Sequence, residues 1–169
     1  MKNIVYLALG GSEESMEIRV KALKQKKNEN GGGEFILSGF SGEIDYMRQF
    51  FHGEFLSYAY AFDTLSNFQG CITNLEKADV VYIASSSLHL ERIKIVLNKN
   101  FPHLIEKVEW IPTEESEAKY ARLGLWIYKI LGPTALQKVA ILTRWKRYRQ
   151  EYISPIKERK LCAFLGTCY

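Results

Sequence analysis

Between Ser85 and Arg92 the chain reads Ser85-Ser86-Ser87-Leu88-His89-Leu90-Glu91-Arg92, directly after the apolar run Val80-Val81-Tyr82-Ile83-Ala84. Such a segment suits anion binding and proton transfer. Serine hydroxyls and backbone amides at a helix start can hold phosphate or carboxylate oxygens, and Arg92 adds a planar donor fork. His89 can donate to an anion or move a proton near neutral pH, and three residues of helical spacing put it on the same side as Arg92. A plainer reading of equal weight stands beside this one. In it Ser85 and Ser86 belong to a helix cap, His89 bonds to a neighbouring strand, and Arg92 pairs with Glu91 or faces water.

Three other groups invite the same question. Asp63-Thr64 followed by Asn67 reads as a helix cap with a polar residue one turn on. Asp63 is a candidate catalytic acid or base, though it is better suited to holding the helix entrance or orienting His89 or Arg92. Gly10-Gly11 and Ser38-Gly39 each follow an apolar run and allow close backbone approach to a ligand. Gly10-Gly11 is neither the three-glycine dinucleotide fingerprint nor a lysine-containing phosphate loop, and a plain turn explains it almost as well.

The elements that must position these groups alternate. Ile4 to Leu9, Phe35 to Leu37, Glu54 to Phe62, Val80 to Ala84 and Val108 to Ile111 have strand lengths and compositions. Between them, helical spacing appears in Met16, Val20 and Leu23 (about Glu14 to Lys27, capped within Ser12 to Ser15) and in Ile44, Met47, Phe50 and Phe51 after Gly42. It appears again in Leu65, Phe68, Ile72 and Leu75, where Gly70 weakens the helix without ending it, and in Leu88, Ile93, Val96 and Leu97. This order predicts an α/β fold: a three-layer, mostly parallel sheet whose crossovers are helices. In such sheets ligands gather beyond the carboxyl ends of the strands, where all four polar groups fall. The C-terminal portion reads as helical, over Glu114 to Leu131 and Thr134 to about Glu151, separated by Gly132-Pro133. Cys162 to Leu165 returns as a strand or packs as an extended tail.

Composition narrows the class. The chain has 169 residues, 47% hydrophobic and 25% charged, enough for one hydrophobic core spanning 1–169. A formal charge of +4 favours anionic partners only mildly. Cys71, Cys162 and Cys168 lack metal-ligand spacing, so no metal is expected, and reduced thiols suit a cytoplasmic setting. No apolar run has the length of a membrane span, so membrane insertion is not expected. Arg144, Lys146, Arg147 and Arg149 interleave with Trp145 and Tyr148, but Ile141, Trp145, Tyr148 and Tyr152 form a helical stripe that should bury itself. Nucleic acid is therefore not the expected partner. Glu114, Glu115 and Glu117 read as the acidic first turns of a helix.

Taken in order, Gly10-Gly11, Arg19 with Ala22, Ser38-Gly39 with Glu43, Asp63-Thr64 to Asn67, and Ser85-Ser86 with His89 and Arg92 resemble the YdcF/SanA/ElyC-like family, catalogued as a domain of unknown function. The resemblance covers about Ile4 to Phe101 and is closest to the soluble YdcF-like branch. It implies a Rossmann-like fold, with Ser38, Glu43, Thr64, Asn67, Ser86, His89 and Arg92 as pocket residues. One branch of the family is linked to S-adenosylmethionine and membrane-attached branches to cell-envelope metabolism. Where the family commonly has a glutamate and a serine before its Asn/Asp-Thr element, this chain has Tyr58 and Ala61.

The expected function is therefore a cytoplasmic binding protein or enzyme for a nucleotide-like or phosphorylated small molecule, S-adenosylmethionine among the candidates. Gly10, Gly11, Ser38, Gly39, Glu43, Thr64, Asn67, Ser85, Ser86 and Arg92 would seat it, and His89 with Asp63 would move protons. The alternative is a noncatalytic nucleotide-responsive or structural protein that keeps the fold.

Overall fold

Strand β1 (Ile4–Leu9) is buried almost along its whole length, and its side chains alternate between two separate cores. Val5, Leu7 and Leu9 enter one core; Tyr6 and Ala8 enter the other. A strand apolar on both faces needs cover on both, which is the demand that parallel α/β sheets satisfy with crossover helices. The computed structural model describes residues 2–61, 63–115, 121–135 and 137–138.

Five strands, β1, β2 (Glu34–Gly39), β3 (Leu56–Tyr60), β4 (Val80–Ser85) and β5 (Val108–Pro112), form one all-parallel sheet in the order β3-β2-β1-β4-β5. Helices α1 (Glu13–Asn30) and α2 (Ser41–Arg48) cover one face through Met16, Val20, Leu23, Ile44 and Met47. Helices α3 (Thr64–Gln69), α4 (Ile72–Lys77), α5 (Ser87–Asn100) and α6 (Ala121–Leu131) supply the other core. The result is a Rossmann-like three-layer fold. Each fully buried Leu, Ile or Phe contributes on the order of 1.5–3 kcal/mol of transfer free energy.

Several local expectations are corrected. Gly70 does end a helix: α3 stops at Gln69 and α4 begins at Ile72, with Gly70 at the C-cap. Space explains the glycine there, since a Cβ would lie 3.2 Å from the Ala59 Cβ and 3.3 Å from the Ser66 carbonyl. Cys71 sits at that break and not inside a helix; its buried Sγ donates to the Asn67 carbonyl at 3.0 Å, and burial pushes the thiol up to about 12. On α5 the buried stripe is Leu90, Ile93, Val96 and Leu97, so Leu90 takes the place expected for Leu88. β3 is shorter than the aromatic run, which leaves Phe55 outside it and exposed. α2 ends before Phe50 and Phe51, which nonetheless pack on its core. A 3-10 helix over Pro102–Lys107, unanticipated in the sequence, links α5 to β5.

α6 (Ala121–Leu131) falls within the helix expected from Glu114 to Leu131, and residues 116–120 lie outside the described residues. Glu114 and Glu115 lie in the loop after β5 and not in a helical first turn. Most of the expected helix from Thr134 to Glu151, with the basic residues Arg144 to Arg149, and Cys162 to Leu165 lie outside the described residues. Among the described residues no helix is long and apolar enough to cross a membrane, and no three His, Cys, Asp or Glu side chains gather as a metal site.

Candidate functional site

The sheet opens where its order reverses. β1 pairs with β2 as far as Leu9 and Ser38, and Gly10 N–H adds one more bond to the Ser38 carbonyl at 2.7 Å. On its other side the pairing of β1 with β4 stops at Leu7 and Ile83, two residues before either strand ends. The chain runs from β1 outward to β2 and β3, then returns to β4 on the opposite side of β1. This is the switch point at which open α/β sheets hold ligands.

On the α1 side, Arg19 closes the gap. Its Nη1 donates to the Gly10 carbonyl at 2.8 Å and the Leu9 carbonyl at 3.2 Å, two acceptors that β4 does not reach. Its Nε and Nη2 meet Glu115 at 3.0 and 2.5 Å, and both side chains are buried, at 6% and 2% exposure. Burial alone would raise the Glu115 carboxyl pKa. The hydrogen bond and charge of Arg19, with the hydroxyls of Thr113 and Ser15, outweigh it and hold the carboxyl below its usual value. Gly11 leaves room for the guanidinium: a Cβ there would stand 3.1 Å from Nη1.

Glu43 occupies the next position along this side. Its Oε2 accepts the Phe40 N–H at 2.7 Å at the start of α2. The carboxylate lies over Gly10 and Gly39; a Cβ on Gly10 would come within 2.8 Å of Glu43 Cδ and 3.2 Å of Gly39 Cα. Sterics, not dihedral freedom, demand glycine at these two positions.

The α3 and α5 side is built from neutral bonds. Ser38, fully buried at the end of β2, donates to Asn67 Oδ1 at 2.8 Å. Ser85, equally buried at the end of β4, bonds His89 Nδ1 at 2.8 Å, a contact that holds in either neutral tautomer. Ser86 takes the N-cap position of α5 without a side-chain capping bond. Burial, then the charges of Arg92 and of Arg19, hold the His89 imidazole well below its usual pKa. His89 therefore feels both arginines, one from each side of the sheet. Arg92 lays its guanidinium over the Tyr128 ring of α6, 5.6 Å from the centroid; Glu91 pairs with Lys94 instead.

Asp63 is a cap: Oδ1 accepts the Ser66 N–H at 2.7 Å, while Ser66 Oγ accepts the Asp63 N–H at 3.0 Å. Its Oδ2 is buried and accepts no hydrogen bond among the described residues. No bond joins Asp63 to His89, whose Nδ1 is held by Ser85. Thr64 is buried in the first turn of α3.

No family model, curated protein or solved structure matches the chain. The site therefore rests on its own geometry. A separate cavity of about 360 Å³ lies between α1 and β5, bordered by Lys26, Tyr82, Trp110 and Ile111. Its titratable side chains are Lys26, Glu29, Tyr82 and Glu109, and of the positions singled out from the sequence it is lined by Ala22 alone.

Two participants were not legible as such. Glu115 reads as part of the acidic first turns of a helix, and Tyr128 lies within the expected Glu114-to-Leu131 helix with nothing to single it out. A signal for the first did exist: Arg19 shares the helical stripe of Met16, Val20 and Leu23, and a charge on a buried stripe requires a buried partner.

Proposed function

We propose that the chain binds a small anionic or nucleotide-like molecule in the crevice beyond β1 and β4. The observation that carries this reading is the divergence of those strands past Leu7 and Ile83, with His89 held beside the gap by Ser85 at the end of β4. The two sides would meet different parts of such a ligand. Ser86 and the start of α5, with Arg92 one turn on, suit phosphate or carboxylate oxygens. The Glu43 carboxylate beside Gly10 suits hydroxyl donors such as a ribose diol. A neutral imidazole can accept or donate one proton, so His89 is the residue proposed to touch a reacting group. Asp63 enters as the group that fixes α3, and Asn67 and Ser38 as the wall behind it. The family resemblance adds S-adenosylmethionine to the ligands worth testing first.

Binding without turnover is the second reading. Tyr58 is exposed on the edge strand and Ala61 is buried, so neither position places a carboxylate or hydroxyl in the crevice. Thermal unfolding with S-adenosylmethionine, AMP, ADP and inorganic phosphate, followed by mass spectrometry of the recovered probe, tests both readings. At least one probe is expected to raise the unfolding temperature, and His89→Ala and Arg92→Ala to reduce that rise. Probe recovered intact favours the second reading, and probe consumed favours catalysis. No shift with any probe, or a shift that both variants retain, rejects this pocket.

A further inference from the structure

We infer that the outer face of α6 docks on an anionic lipid surface. α6 is oriented by its inner side, where Tyr128 is buried against the second core and carries Arg92 on its ring. That fixes what points outward. Trp126 and Ile130, opposite Tyr128, are 59% and 58% exposed, and Leu131 at the end of the helix is 55% exposed, a large apolar set for one short helix. Arg122 and Lys129 are exposed on the same helix, and 122, 126, 129 and 130 fall on one stripe at helical spacing. Lys99 extends the basic rim: its ammonium stands 3.3 Å from where a Cβ on Gly132 would lie, beside the end of α6.

Charge complementarity selects the occupant. Residues 121–169 carry ten Lys and Arg against two Asp and Glu, whereas residues 1–120 carry thirteen against seventeen. The mild overall excess hides a strongly basic C-terminal third. A second copy packed on this face by a twofold axis would set Arg122 and Lys129 against themselves, with no acid on the stripe to relieve them. A nucleic-acid backbone would answer the cations but leave Trp126, Ile130 and Leu131 without an apolar partner. A lipid surface with anionic headgroups answers both, accepting tryptophan and aliphatic side chains at the acyl boundary and cations at the headgroups. The helix lies along such a surface and does not cross it.

The test is co-sedimentation of the full chain with vesicles of phosphatidylcholine alone and of an equal mixture with phosphatidylglycerol. Binding to the anionic vesicles should exceed that to the neutral ones by about tenfold or more and weaken as salt is raised. Trp126→Ser with Ile130→Ser should lower it by about tenfold while leaving the unfolding temperature unchanged, since both side chains already face water. Lys129→Glu gives a second, purely electrostatic arm and should reduce binding to anionic vesicles only. Equal binding to both vesicle types, no binding, or wild-type binding by the double variant overturns the inference. So does a dimer or an oligonucleotide complex that the double variant abolishes while vesicles are left unbound.

Discussion

The two sides of the β1/β4 crevice solve the same problem, a set of polar groups buried at strand ends, with opposite chemistry. On the α1 and α2 side the groups are charged: Arg19 is paired with Glu115, and the Glu43 carboxylate accepts the Phe40 N–H. On the α3 and α5 side they are hydroxyl, amide and neutral imidazole: Ser38 with Asn67, and Ser85 with His89. A matched buried ion pair is rigid, because separating it exposes an uncompensated charge. Neutral hydrogen bonds exchange partners at lower cost. In the proposed function the Arg19–Glu115 pair would hold the crevice in one shape, while Glu43 and the neutral side would meet what enters it.

The largest effect should come from breaking the ionic side. Glu115→Ala strands the Arg19 guanidinium at 6% exposure and should cost about 3–5 kcal/mol. In a chain of this size that lowers the unfolding temperature by roughly 10 °C. Replacing both partners, Arg19→Met with Glu115→Leu, should recover much of the loss, because no charge is then left unpaired. A Glu115→Ala variant as stable as wild type by differential scanning calorimetry would remove the clamp from the account.

Gly10→Ala tests the crowding over the glycine pair. The new methyl must displace the Glu43 carboxylate or the Gly39 backbone, at about 1–3 kcal/mol. Gly42→Ala, in α2 with nothing within 4 Å of the added methyl, should instead be neutral or stabilising by up to about 1 kcal/mol. Equal effects from the two in denaturant titration would show that conformational freedom and not space selects Gly10.

The smallest effect belongs to the neutral side and appears only with pH. The unfolded chain protonates His89 near 6.5, whereas in the folded chain burial and the two arginines resist the proton. The unfolded state therefore binds more protons below that pH, and stability present above it is lost as the pH falls toward the folded pKa. Unfolding temperatures of wild type and His89→Gln should run parallel above pH 6.5 and separate below it, with wild type falling faster. Parallel profiles throughout would mean that the imidazole is not sheltered as described.

Much of this arrangement was legible from residue order. The alternation of short apolar runs with helical stripes specifies a parallel α/β sheet, because strands covered on both faces and joined by helices leave no other economical packing. The four polar groups at Gly10, Ser38, Asp63 and Ser85 fall at strand ends for the same reason. Their partners were less visible. Ser38 finds Asn67, and Arg19 finds Glu115 ninety-six positions away, through contacts that only the completed sheet creates. Leu88 and Leu90 both fit an apolar pattern in α5, and packing against the sheet, not spacing, decides that Leu90 is the buried one.

Mapping backbone amide shifts by nuclear magnetic resonance, on addition of S-adenosylmethionine, AMP, ADP or inorganic phosphate, tests the crevice most directly. At least one probe should perturb the amides of Gly11 and Ser12 together with those of Ser87 to His89, on both sides of the β1/β4 gap. Perturbations confined to Lys26, Tyr82 and Trp110 around the α1/β5 cavity, or none at all with every probe, would contradict the account.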